Sequence, residues 1–208
     1  MRSTLPRPQL ALLGVTALFA LISLIGSPYP DLAPLQNLPT LVIVSGLALA
    51  LRFRPLPNSA VWCLCAFLWL HTVGGRYAYS YVPYDQWFSA LGLPAPSAVF
   101  GLTRNGYDRV VHFSFGLLMV HPIAEFLERS GWVSRAVALY IAVEFVFAGS
   151  ALYEIFEWLL TLVMAGPDAN AYNGQQGDTW DAQKDMACAV TGALSAAGFL
   201  TLRRWQRA

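Results

Sequence analysis

Charge is what this sequence has least of. Only 12 % of its 208 residues are Asp, Glu, Lys or Arg, while 56 % are hydrophobic and the mean hydropathy is +0.49. A soluble domain carries roughly 25 % charged residues, so a water-soluble globule is excluded and a membrane protein is expected. The formal net charge is only +1 and there is no basic cluster, which excludes nucleic acid as a partner. A cysteine framework is also missing. Cys63, Cys65 and Cys188 lie in apolar runs with neither zinc-finger nor disulfide spacing, and they read as small buried residues. There is no internal repeat and no low-complexity tract. The first apolar run is longer than a signal peptide needs and lacks an A-x-A-like cleavage site after it.

What is present is a series of apolar runs. A membrane helix needs about 20 mostly apolar residues. Six spans are expected, at about 10–26, 35–51, 60–74, 109–127, 133–164 and 180–202, forming an all-α polytopic bundle with one integral membrane domain over 1–208. The fifth run is too long for an upright span at about 1.5 Å per residue and too short for two, so one tilted or extended helix is expected. Six spans place both termini on one side. Arg2, Arg7, Arg52, Arg54, Arg129, Arg135, Arg203, Arg204 and Arg207 then share that side, leaving Arg76, Arg104, Arg109 and Lys184 opposite. The positive-inside rule makes the first side cytoplasmic. The segment between spans three and four, Gly74 to Tyr107, is rich in Tyr, Trp and Pro. It is expected to form a cap at the outer interface, with a short interfacial helix near Asp85 to Leu91.

The few polar residues of the spans fall at one depth. Asp108 and His112 stand at i and i+4 at the outer end of span four, Glu154 and Glu157 at i and i+3 near the outer end of span five. Asp181 and Asp185 open span six, Asp178 precedes them as a candidate cap, and His71 ends span three. Carboxylates gathered this way repel and are costly to bury unpaired. Three things can offset that cost: a divalent cation, the bases Arg104, Arg109 and Lys184, or retained protons. Carboxylates with one or two histidines suit zinc, manganese or iron. The candidate metal set is therefore His71, Asp108, His112, Glu154, Glu157, Asp178, Asp181 and Asp185. His112, Glu157 and Asp181 are the candidate catalytic groups, and Arg76, Arg104, Arg109 and Lys184 the candidate substrate-holding cations. The competing account is a salt-bridged tie between helices. Toward the cytoplasmic end, His121 and Glu125 read as a local pair beside a kink at Pro122. Glu144 reads equally as a helix contact or as part of a proton path. GPDANAYNGQQG reads as a turn that sets the start of span six.

HTVGGRYAYSYVPY, RNGYDRVVHFSFG, YEIFEW and QQGDTWDAQKDM, in that order, resemble the YjdF-like family of bacterial inner-membrane proteins, a domain of unknown function. A looser similarity reaches the VanZ-like membrane proteins, linked to glycopeptide (teicoplanin) resistance. Their Asp-Lys-x-x-His-Phe pattern is similar to Asp108 through Phe113, with Arg109 replacing Lys, and their later acidic positions look like Glu154 and Asp181 to Asp185. Glu157 and Asp185 depart from the amides of that broader pattern. The resemblance implies a multi-pass bacterial inner-membrane protein with a periplasmic-face site and attaches no substrate to it.

Three functions stay open. The first is a metal-assisted enzyme acting on an envelope lipid or lipid-linked precursor, with membrane lipids and a lipid-linked or small-molecule ligand as partners. The second is a proton- or cation-coupled transporter or ligand-binding protein, which requires a polar path inward through Glu144, His121 and Glu125; an apolar floor beneath His112 argues against it. The third is a structural or assembly protein. Oligomeric state is not legible in the sequence.

Overall fold

The computed structural model describes residues 4–164 and 166–205, without the side chains of 167, 168, 170, 171, 204 and 205. Arg2 and Arg207, and the side chain of Arg204, lie outside what is described, so their part in the orientation expectation is not addressed. Among the described residues the regular structure is entirely helical.

The first three helices are α1 (Arg7–Leu24), α2 (Ala33–Phe53) and α3 (Asn58–Arg76). Both α1 and α2 carry proline in the first turn, where a missing N–H costs nothing because no intrahelical acceptor exists for it. They pack around Leu12, Leu13, Val44, Leu51, Val61, Cys65 and Leu68. The cap segment contributes α4 (Tyr84–Ala90) and α5 (Pro96–Phe100), tied together where Asp85 Oδ1 accepts the Ser97 N–H at 2.9 Å. A short helix, α4, stands where one was expected near 85–91.

The second group is α6 (Tyr107–Arg129), α7 (Arg135–Leu160) and α9 (Asp181–Trp205), with the short α8 (Gly166–Asn173) before α9. Its core is built from small residues: Ala124, Ala138, Ala142, Ala189, Ala193 and Ala196, with Met119, Val120 and Val146. Small side chains let membrane helices approach closely, since lipid tails offer no hydrophobic force to drive helices together. At Gly116 and Gly192 the approach is backbone on backbone: a Cβ on Gly116 would overlap the Ala189 carbonyl, and one on Gly192 the Phe113 carbonyl. That contact fixes the register of α9 on α6, and with it the relative height of their first turns. Helix α3 packs on α6 and joins the two groups, with the Phe67 and Phe115 rings 5.4 Å apart.

Among the described residues, five helices (α1, α2, α6, α7 and α9) are long and apolar enough to cross a membrane by length and composition. The third expected span, α3, has 19 residues but carries Asn58, Ser59 and His71 and is not one of those five. The fifth expected span is one helix, as anticipated, but α7 is 26 residues long and stops at Leu160. GPDANAYNGQQG is not wholly a turn. Its first part forms α8 because Ala169 and Tyr172 gain burial, Tyr172 against Leu32 and Ala78; only 174–180 turns. Helix α6 runs unbroken through Pro122.

Candidate functional site

The ends of α6, α7 and α9 that carry carboxylates meet at one end of the bundle, and the chain entering α9 is folded over them. Gly174 and Gly177 turn it with φ of +71° and +81°, a region open mainly to glycine. Gly174 is doubly required, because a Cβ there would sit 2.6 Å from Asp108 Oδ2. Gln176 and Asn105 then bond each other reciprocally: Asn105 N–H donates to Gln176 Oε1 at 2.8 Å, and Gln176 Nε2 donates to the Asn105 carbonyl at 3.0 Å. This zips the turn to the segment preceding α6.

The acidic residues separate into two tiers. In the outer tier, Asp178 accepts from Lys184 Nζ at 2.7 Å and from Arg109 Nη2 at 2.5 Å. Its other oxygen takes the Trp180 N–H at 3.1 Å, one residue ahead of α9, so it braces the turn and does not cap the helix interior. The Lys184 hydrogen bond, then the Trp180 N–H, hold the Asp178 carboxyl well below the usual carboxylate range. Asp181 pairs closely with Arg104 and lies 3.4 Å from Arg109 Nη2. Arg104 Nη1 also donates to the Gln175 carbonyl at 2.9 Å.

The inner tier lies about one turn deeper. Asp108, His112, Glu157 and Asp185 are all buried, and the Glu154 side chain is 9 % exposed. Asp108, His112 and Asp185 each place a ligand atom so that all three lie within 4.8 Å of one another. His112 Nε2 stands 3.7 Å from Asp108 Oδ1 and 3.4 Å from Glu154 Oε1, while its Nδ1 is 3.4 Å from Ser150 Oγ. Glu157 feels the charges of Asp108, Glu154, Asp185 and Asp181. Asp185 Oδ1 and Glu154 Oε1 are buried without a hydrogen-bond partner, and the nearest cation to Asp185 is Arg109 Nε at 3.9 Å. Across both tiers, six carboxylates meet, among the described residues, the three cations Arg104, Arg109 and Lys184 and the imidazole of His112. Of the four carboxylates left in the inner tier, Asp108 and Asp185 stand with His112 in a group whose residue types suit a divalent cation.

Two other expected members are engaged elsewhere. His71 uses both ring nitrogens, Nε2 on the Gln36 carbonyl at 3.0 Å and Nδ1 with the Tyr79 hydroxyl at 2.5 Å. Arg76 donates to the carbonyls of Ser23, Ile25 and Gly26, closing the C-terminal end of α1. It holds no position at the carboxylates.

Two pockets flank the inner tier. One, of about 240 Å³, is walled by Ile43, Phe67, Leu68, Val111 and Phe115 and reaches Asp108 and His112 at its polar end, beside His71, Tyr79, Ser150 and Tyr153. Burial pushes the Tyr79 hydroxyl far up from its ordinary value. The other, of about 200 Å³, is lined by Glu154, Glu157, Asn173, Gln175, Thr179 and Asp181 among others. Tyr172, at the end of α8, is pushed up to about 12 by burial and by Glu157. The inner carboxylates thus stand between an apolar pocket and a polar one.

Ser150, Tyr153, Tyr79 and Gly174 were not singled out by sequence reasoning. Ser150, Glu154 and Glu157 recur at i, i+4 and i+7, so the face of α7 was readable in principle. Below His112 the bundle is filled by Met119, Val120, Ala142, Val146, Ala189 and Ala193, an apolar floor. His121 and Glu125 lie beyond it and are not paired with each other: His121 Nε2 meets Ser59 Oγ at 2.9 Å, and Glu125 binds Arg129 and Arg135 at 3.1 and 3.4 Å. Glu144 is exposed on the outer face of α7, away from the site.

A family profile described as a predicted membrane protein, DUF2238, matches residues 8–206. The chain is 34 % identical over 171 residues to the inner membrane protein YjdF of Escherichia coli K12, covering 78 % of this chain and 74 % of that one. No solved structure matches. The match agrees with the YjdF-like resemblance read from the motifs, while the VanZ-like similarity gains no support from it.

Proposed function

The chain belongs to the DUF2238 family of membrane proteins, and from that premise we propose that its inner tier binds one divalent cation and is the reaction centre of an enzyme acting on an amphiphile at the outer face of the inner membrane. The observation that carries this reading is the pair of buried oxygens without a hydrogen bond, Asp185 Oδ1 (3.9 Å from Arg109 Nε) and Glu154 Oε1 (3.4 Å from His112 Nε2), beside the Asp108–His112–Asp185 group. A buried carboxylate oxygen with no donor costs several kcal/mol unless a cation or proton meets it. Asp108, His112 and Asp185 would hold the ion, with Glu154 as a fourth ligand, and zinc, manganese or iron fit that set. When bound, such an ion polarises an ester or phosphoryl oxygen and lowers the pKa of a coordinated water. Glu157, which lines the polar pocket with Glu154 and Asp181, would serve as the proton acceptor, and Ser150 orients the His112 ring through Nδ1.

The substrate class follows from the two pockets. An envelope lipid or lipid-linked precursor can place its chain among Phe67, Leu68 and Phe115 and its head group toward Thr179 and Asp181. Six spans with both termini cytoplasmic would put this end at the periplasmic face, with α3 as the least apolar span. Transport lacks support, because the apolar floor separates the inner tier from His121 and Glu125. The structural reading keeps one specific observation in its favour: Arg104, Arg109 and Lys184 are all committed to Asp178 and Asp181, which describes a tie more than a substrate clamp.

The test is metal analysis of detergent-purified protein after chelation and reloading, beside a His112→Ala/Asp185→Ala variant, followed by a hydrolysis screen on phosphate-bearing envelope lipids. Near-stoichiometric metal in the parent and none in a folded variant is expected. A metal-free parent that stays folded would leave only the tie.

A further inference from the structure

Glu144 is a carboxylate on the wrong side of its helix. It is the tenth residue of α7, about 13 Å along a helix of about 39 Å, well inside a hydrocarbon layer roughly 30 Å thick. Its side chain is exposed, and it makes no hydrogen bond or ion pair with any described residue. A glutamate is too short to reach the headgroups from that depth, unlike lysine or arginine. Ionisable side chains inside membranes almost always face protein or a water-filled cavity. Among the described residues no other charged side chain is exposed so far from both ends of its helix. The helix that carries it is also the least covered of the five apolar spans: 22 % of its apolar window is buried, against 44 % for α6.

We propose that the outward face of α7, centred on Glu144, is the contact between two copies of this chain in the membrane. The occupant follows from what else lies on that face. Val137, Tyr140, Glu144, Phe147 and Ala148 are exposed at helical spacing and form one stripe. Tyr140 is 65 % exposed and brings a hydroxyl donor one turn from the Glu144 acceptor, and it too has no hydrogen-bond partner among the described residues. A two-fold axis along the membrane normal brings equal depths of two α7 helices together, so the stripe meets itself. The Tyr140 hydroxyl of each copy then has the Glu144 carboxylate of the other within a turn's height, and each contact occurs twice. Polar side chains act in this way as glue between membrane helices, and Ala148 lets the backbones close up. No exposed base lies at that depth on any described helix of the chain, so a second copy answers Glu144 by hydrogen bonding and not by ion pairing.

The inference is independent of the proposed metal site, which faces the bundle interior. It is tested with fluorophore-tagged full-length protein in liposomes, counting photobleaching steps as the protein is diluted in lipid. The parent is expected to form dimers that dissociate on dilution. Glu144→Leu is expected to raise the dimer dissociation constant about tenfold and Tyr140→Phe severalfold, with Glu144→Gln, which still accepts a hydrogen bond, close to the parent. Glu144→Leu removes a carboxylate from the lipid face and should fold at least as well; thermal unfolding in detergent checks this. A parent that is monomeric at every density overturns the proposal, as does a dimer unchanged by Glu144→Leu and Tyr140→Phe.

Discussion

The outer and inner carboxylate tiers lie within about one helical turn of each other and contain the same chemistry, yet they are solved differently. Asp178 and Asp181 are met by Arg104, Arg109 and Lys184, and Asp178 also by a backbone N–H. Asp108, Glu154, Glu157 and Asp185 are four carboxyl groups around the imidazole of His112, and among the described residues the nearest guanidinium atom is Arg109 Nε, 3.9 Å from Asp185. The difference teaches that the chain answers the outer carboxylates with its own bases and largely leaves the inner ones without them. The outer carboxylates meet bases that tie the start of α9 to the start of α6, although Arg104 Nε and Nη2 and Arg109 Nε keep no hydrogen bond, whereas the inner tier holds two carboxylate oxygens without one, the opening for the ion proposed above.

The comparison breaks most severely if its inner half is removed. His112→Ala with Asp185→Ala is expected to weaken divalent-cation binding by more than about 100-fold while the fold persists, read by calorimetry in detergent; loss of a supporting group alone typically costs 10–100-fold. Next is Arg104, whose side chain is 11 % exposed against an equally buried Asp181. Arg104→Ala leaves that carboxylate with Arg109 Nη2 at 3.4 Å as its one remaining base and is expected to cost about 2 kcal/mol of stability, with metal stoichiometry retained. Gly174→Ala should follow, at about 1–3 kcal/mol from the positive φ alone, and it also presses a methyl toward Asp108 Oδ2, so it alone should disturb both tiers.

The smallest effects belong to the rim, and pH sharpens them. The folded Asp178 carboxyl titrates below the ordinary value of about 3.9, so its contribution is complete above that pH and is lost as pH falls through the depressed folded value. The parent should therefore keep this part of its stability down to about pH 4 and shed it in stronger acid, whereas Asp178→Asn should show no such acid limb; unfolding monitored across pH reads the difference. Lys184, half exposed, is expected to give under about 1 kcal/mol on replacement by alanine, and less still in high salt.

Much of this was legible in the residues. The apolar runs located the long helices, and the alternation of spans brought Asp108, His112, Glu154, Glu157, Asp181 and Asp185 to one depth, where the structure has them. The division into tiers was not legible. It depends on how far α9 slides along α6, which Gly116 and Gly192 decide by backbone contact, and on the positive-φ turn at Gly174. His71 shows the same limit. Its spacing fits the site, but Ala78 and Tyr79 both adopt positive φ, of 48° and 51°, which folds the Tyr79 ring back over Gly74 and delivers its hydroxyl to the imidazole. Left-handed residues other than glycine are rare enough that no pattern announces them. Helix α8 escaped because the burial of Ala169 and Tyr172 is tertiary, and local turn composition outweighed it.

The most direct test of the central claim is electron-nuclear double resonance on protein loaded with Mn²⁺. The account predicts a bound ion with hyperfine coupling to nitrogen from a single histidine, present in the parent and in His71→Ala and absent in His112→Ala. A coupling that survives His112→Ala, or a folded parent that binds no ion at all, would contradict it.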